Sequence, residues 1–161
     1  MSDRSQRAGR TRKHWYMDRW TSTARARTTP DGLLEVLTHP QRIRLWSPVD
    51  FELDDLDTRR LEAGSMARVT GKVAGVRVSF QVEVHRADPT RLELSADGPI
   101  GLDVRYDLAE AGKCAELTAS VEVRSGRGLT GRVVAGAAAS LLSAGALDGA
   151  VGRIAQVAEA A

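Results

Sequence analysis

The chain has 161 residues, 42% hydrophobic and 27% charged, which fits one ordinary soluble domain and not two, since a domain takes roughly 100–200 residues. A single cysteine, Cys114, excludes an internal disulfide and a thiolate zinc site, and no run of about 18 apolar residues predicts a membrane-spanning helix. The formal net charge of +2 hides a split: residues 1–30 carry eight Arg or Lys against two Asp, whereas the other 131 carry fifteen against nineteen.

Five of those cations, Arg4, Arg7, Arg10, Arg12 and Lys13, stand among Ser, Gln, Gly and Thr with almost nothing apolar. Such a segment cannot offset its ordering entropy, so residues 1–16 are expected to form a disordered basic tail and 17–161 the folded domain. No apolar h-region follows the cations, and a cytoplasmic location is expected. Arg outnumbers Lys twenty to three and Asn is absent, a bias of GC-rich coding sequence that suggests a bacterial source.

From Met17 the pattern turns periodic. Trp20, Ser22, Ala24 and Ala26 alternate with Thr21, Thr23, Arg25 and Arg27, a strand pattern. Thr29-Pro30-Asp31 then opens a helix: Thr caps it, Pro suits the first helical position, and Asp complements the positive helix end. Leu33, Leu34, Val36 and Leu37 supply its apolar stripe, and His39-Pro40 ends it. A second short helix over Gln41–Trp46 must stop near Ser47-Pro48, because the residue before a proline is pushed out of the helical region.

Six strands are expected next. Val76, Val78, Phe80, Val82 and Val84 alternate with Arg77, Ser79, Gln81, Glu83 and His85; Ile100–Leu108 and Ala115–Arg124 repeat the period. Weaker strands fit Val49–Leu53, Ala67–Val73 and Arg91–Ala96. Alternation of this kind means half-buried strands of an antiparallel sheet covered on one side, and connectors such as Ala74-Gly75 and Asp88-Pro89 are short enough for hairpins. Leu129–Ala161, Ala- and Leu-rich without Pro, predicts one long helix covering the sheet. Its stripe rotates by about a third of a turn between Gly145 and Gly149, which predicts a kink or break there.

One strand, two short helices, six antiparallel strands and a long terminal helix is the order of the helix-grip fold, and over Met17–Ala158 the chain resembles the START-related superfamily that includes polyketide cyclases and birch-pollen-allergen-like proteins. The residues that carry the likeness are Thr29-Pro30-Asp31 through Leu37-Thr38-His39-Pro40, Trp46-Ser47-Pro48 and Gly64. His39 stands where the superfamily has Asp or Asn. Gly71-Lys72-Val73-Ala74-Gly75, with the glycine-rich turn before the last helix, is similar to the branch that contains an accessory protein of carbon monoxide dehydrogenase. The resemblance implies an α+β fold in which a curved sheet of about seven strands wraps the last helix and leaves an apolar cavity for a lipid, quinone, polyketide or similar ligand. Fold does not fix function in so varied a superfamily.

Motifs for other chemistry fail on context. Gly126-Arg127-Gly128-Leu129-Thr130-Gly131 matches a dinucleotide fingerprint in letters, yet no strand follows its helix. Asp50, Glu52, Asp54, Asp55 and Asp57 form an acidic run without the glycine and terminal glutamate of a calcium loop, and alternation sends Asp50 and Glu52 to solvent. His14, His39 and His85 are scattered, Cys114 stands beside Lys113, and no metal or catalytic triad spacing occurs. No metal, cofactor or catalytic residue is expected.

Strand parity instead turns an almost wholly apolar set inward. The expected ligand-binding residues are Trp46, Phe51, Val69, Phe80, Val82, Leu94, Val104, Tyr106, Leu117, Val134, Ala138 and Leu141, with Trp46 and Phe51 at the mouth. Tyr106 is the one titratable group of the regular strands that looks in. It is read either as a core tyrosine with its hydroxyl at the rim or as a hydrogen-bond anchor for a ligand carbonyl. The function expected is non-catalytic binding or transport of a hydrophobic small molecule. The alternatives are a cyclase or dehydratase in which Tyr106 polarises a carbonyl, and a membrane-attached accessory component of a redox enzyme. Trp15, Tyr16 and Trp20 beside the basic tail suit an anionic membrane surface. The cations alone would suit nucleic acid equally, and no specific nucleic-acid partner is expected; a plain solvated extension, with Met17 as the start, is the other reading of this segment.

Overall fold

The computed structural model describes residues 19–56, 58–73, 75–124 and 128–161. The expected tail, Asp57, Ala74, and Gly126 and Arg127 of the glycine-rich turn lie outside the described residues. The alternating segments form β1 (Arg19–Ala26), β2 (Phe51–Asp54), β3 (Met66–Val73), β4 (Val76–Asp88), β5 (Arg91–Asp97), β6 (Gly101–Ala111) and β7 (Cys114–Arg124). They make one antiparallel sheet in the order β1-β7-β6-β5-β4-β3-β2. The two short helices, α1 (Pro30–Thr38) and α2 (Pro40–Trp46), follow β1, and α3 (Gly128–Ser143) and α4 (Ala146–Ala160) close the chain.

Period two sets which face is wet. In β4 the side chains of Val78, Val82 and Val84 are buried while Arg77, Ser79, Gln81 and Glu83 are exposed. Pairing then stacks apolar neighbours across the inner face, Val69 on Phe80, Val82 on Ala96, Leu102 on Val123 and Val104 on Val121. A register shift between Val84 and Arg86 marks a bulge. It lets His85 and Arg86 both face solvent before inward alternation resumes at Ala87, paired with Leu92. That is why β4 runs on to Asp88 rather than stopping at His85. The strand expected from Val49 starts instead at Phe51, because Pro48 lacks an amide proton and the Ser47 hydroxyl donates to the Val49 carbonyl at 2.8 Å, a local turn in place of a ladder.

Thr29 caps α1 as its position predicts, its Oγ1 accepting from the Gly32 amide at 3.1 Å. Leu33, Val36 and Leu37 are almost wholly enclosed, each worth about 1.5–3 kcal/mol of burial. Pro40 both ends α1 and begins α2. It cannot donate to the carbonyl four residues back, that of Val36. The Trp46 indole does so instead, Nε1 to Val36 O at 3.0 Å, which turns the end of α2 inward.

The long terminal helical segment is broken, as the rotation of its stripe predicts: α3 and α4 meet at 60°. The break falls at Ala144–Gly145, at the edge of the interval in which the stripe rotates. Gly145 takes φ +96° and its amide donates to Leu142 O at 3.2 Å, a tightened last turn closed by a left-handed residue. The halves differ in burial. α4 encloses Leu147, Ala150, Val151, Ile154 and Ala158, whereas α3 encloses Gly131 and Val134 alone among its sixteen residues. The main core joins α1, α4 and the strands through Leu33, Leu37, Leu92, Leu117 and Ile154; a smaller cluster of Val78, Ile100, Val123 and Val134 sits under α3.

Candidate functional site

Between the inner sheet face and the helices lies an apolar cavity of about 320 Å³, at the small end of the range for ligand pockets. β3 contributes Val69, Gly71 and Val73, β4 contributes Val78, Phe80 and Val82, and β5 contributes Ala96. Leu102, Val104 and Tyr106 come from β6 and Val121 from β7; the helical side is Trp46, then Val134, Ala138, Leu141 and Leu142 of α3 and Ala146, Leu147 and Ala150 of α4. Val49 and Leu141 line it while remaining 36% and 43% exposed, so the opening lies between the α2–β2 segment and the end of α3. Gly98 keeps the sheet close beside it: a Cβ there would stand 2.9 Å from Phe80 Cδ1.

Ten of the twelve residues named from the sequence line this cavity: Trp46, Phe51, Val69, Phe80, Val82, Val104, Tyr106, Val134, Ala138 and Leu141. Leu94 and Leu117 do not. Leu117 is 1% exposed within the main core, and Leu94, paired with Val84 and Val104, packs against that same core. Both point inward as parity requires, but below the cavity, where α1 and α4 fill the space. Trp46 is a second correction, since it is buried rather than at the mouth, drawn in by its bond to Val36. Leu147 and Ala150 were missed. Their place follows from the break at Gly145, which brings the first turns of α4 against the cavity.

Polar groups among the lining residues are few. The Trp46 indole N–H is engaged by Val36, and Lys72 is exposed on β3. Tyr106, 8% exposed, packs edge to face against Trp46. Tyr106 lines the cavity, and burial with no hydrogen bond among the described residues sets the environment of its hydroxyl. Burial drives the Tyr106 phenol far above the ordinary tyrosine range, so it is a neutral donor at any physiological pH.

The outer sheet face is different in kind. A hollow of about 220 Å³ there is lined by Arg19, His85, Glu93, Asp103, Arg105 and Glu122 among others. Its charges are paired, Arg19 with Glu122 at 3.6 Å and Asp103 with Arg124 at 3.1 Å, and His85 Nε2 lies 2.8 Å from Ser95 Oγ. The acidic run behaves as alternation predicts: Phe51 and Leu53 are half-buried and Glu52 and Asp54 exposed. Cys114 is half-buried at the start of β7. No group of three metal-ligating side chains converges among the described residues.

No known protein family matches the sequence, and no curated protein matches it. Solved structures do match the fold. A START superfamily protein from Mycobacterium smegmatis is 16% identical, with a TM-score of 0.61 over 86% of this chain and 98% of that one. Ara h 8.0201 is 12% identical, with a TM-score of 0.57 over 86% and 97%. DynU16, a protein of the dynemicin biosynthetic locus, is 22% identical at a TM-score of 0.57; the match covers 86% of this chain and 46% of DynU16. These likenesses show the helix-grip fold of the START-related proteins, as the order of elements predicts.

Proposed function

We propose that the protein binds a hydrophobic small molecule of the lipid, quinone or polyketide-like class in its cavity and carries or presents it without transforming it. The observation that carries this reading is the lining, in which twenty-odd aliphatic, aromatic or glycine positions from six strands and three helices surround about 320 Å³ with one unengaged polar side chain among the described residues, Tyr106, inside. Transfer of apolar surface from water into such a space drives binding. A cyclase would need an acid or base positioned with Tyr106, and the one other titratable lining residue among those described, Lys72, belongs to the exposed row of β3. Native mass spectrometry of the full chain is the test. A retained neutral apolar molecule, released by organic extraction and rebound on mixing, is expected; a chain that retains nothing and takes up no apolar dye overturns the proposal.

A second reading concerns where the ligand is exchanged. Leu45, Leu129 and Val133, at 64%, 79% and 47% exposure, join Val49 and Leu141 as exposed apolar side chains on α2, α3 and the cavity rim. With the five cations of the first thirteen residues, they favour loading at an anionic lipid surface.

A further inference from the structure

We infer that the cavity selects ligands whose buried end is neutral and carries a hydrogen-bond acceptor, such as a ketone, quinone or ester carbonyl, and that Tyr106 is the residue that reads it. This rests on the cavity being the binding site.

Within a space otherwise walled by hydrocarbon, a ligand's polar atom loses its water and must find a protein partner or forfeit affinity. Three lining side chains carry polar hydrogens. The Trp46 N–H is spent on Val36 O at 3.0 Å, and Lys72 belongs to the exposed outer row of β3. That leaves Tyr106, a buried side chain of the cavity lining whose hydroxyl has no hydrogen bond among the described residues. Its ring is not free to swing away. Leu92 and Ala119 flank Tyr106 in the sheet register, and the Trp46 ring lies against it with centroids 6.4 Å apart. The donor is therefore held in place before any ligand arrives, so little conformational freedom is lost when the bond forms. Among the described residues Lys72 is the one charged side chain of the lining, and it lies on the exposed row of β3, so the desolvation of a carboxylate or phosphate deep inside would be uncompensated. An ionised end must stay at the mouth.

Three probes of one shape separate the contributions: 2-ethylnaphthalene, 2-acetylnaphthalene and 2-naphthoate, titrated into the full chain and into Tyr106→Phe at neutral pH. The ketone is expected to weaken roughly five- to tenfold in Tyr106→Phe, the size of one neutral hydrogen bond, while the hydrocarbon stays within twofold and the naphthoate binds wild type at least tenfold more weakly than the ketone. Hydrocarbon binding reports an intact cavity in the variant; if it is lost there, Tyr106→Leu is read by the same ketone-to-hydrocarbon ratio. A ketone that binds Tyr106→Phe as well as wild type while the hydrocarbon still binds, or a naphthoate that matches the ketone, overturns the role of Tyr106 and leaves the cavity reading standing. Failure of all three probes on wild type overturns the cavity reading itself.

Discussion

Trp46 and Tyr106 meet edge to face, their ring centroids 6.4 Å apart and their planes inclined at 77°, which fastens the end of α2 to the middle of β6. Behind this contact stands the vacancy Pro40 leaves at the Val36 carbonyl, filled by the Trp46 indole. Trp46→Phe keeps a ring in place but strands that buried carbonyl. It is expected to lower unfolding free energy by about 1–3 kcal/mol, measured by urea denaturation. A loss within 0.5 kcal/mol of zero, roughly the range of an ordinary surface substitution, would show that the bond does not hold α2 in place.

Tyr106 makes stability depend on pH at the alkaline end. Its phenol is held protonated by burial in the folded state, whereas in the unfolded chain it ionises near pH 10. Above that pH the unfolded chain binds fewer protons than the native one, so stability falls as pH rises, by at most about 1.4 kcal/mol per unit; below it the group contributes no slope. The difference in unfolding free energy between wild type and Tyr106→Phe should therefore be flat from pH 7 to 9 and drift against wild type from pH 10 to 11. A flat difference throughout would mean that the hydroxyl is in water.

Two substitutions separate cavity from core. Ala138 lines the cavity from α3, and Ala138→Phe is expected to occupy the space, weakening an apolar fluorescent probe more than tenfold while leaving the melting temperature unchanged or raised. Leu117 is enclosed below it, so Leu117→Ala should cost about 2–5 kcal/mol with probe affinity, measured where the variant is folded, nearly unchanged. The reverse pattern would move the binding site out of the described cavity.

Much of this arrangement was legible in the residues because strand parity and the Thr29-Pro30 and His39-Pro40 steps are local. Val69, Phe80, Val82 and Val104 could be assigned to the inner face from period two alone. What parity cannot give is depth along a strand. Leu94 and Leu117 face inward like Val104, and only the packing of α1 and α4 decides that the space over them is filled. The depth of Trp46 was hidden for a related reason, since its position depends on a hydrogen bond to a carbonyl ten residues away. The bulge at His85 and the orientation of α3 relative to α4 depend equally on tertiary contacts.

Gly145 governs that orientation. Its φ of +96° lies where a side chain is strained, although open space surrounds the position a Cβ would take. Gly145→Ala is thus expected to destabilise by about 1–2 kcal/mol through backbone strain and not through a clash. Because Ala146, Leu147 and Ala150 lie just beyond it on the cavity wall, apolar probe binding should weaken as well. Unchanged stability and affinity would show that the bend is set by the packing of α4 alone.

Loading at a lipid surface makes separate demands on charge and on grease. If the cations of residues 1–16 steer the protein to anionic vesicles, flotation with phosphatidylserine-containing liposomes should be strong at about 20 mM salt and fall at about 500 mM, where the screening length drops to a few ångströms. Deleting residues 1–16 should remove that salt-sensitive part. Leu45→Ser with Leu129→Ser, both at highly exposed positions, should leave the fold and the salt dependence intact and reduce the binding that persists at high salt, since exposed apolar side chains act by insertion and not by charge. Flotation unaffected by the deletion discards the role of the tail. Flotation unaffected by the serine pair as well would make Leu45 and Leu129 ordinary exposed residues, leaving the cavity to fill from solution.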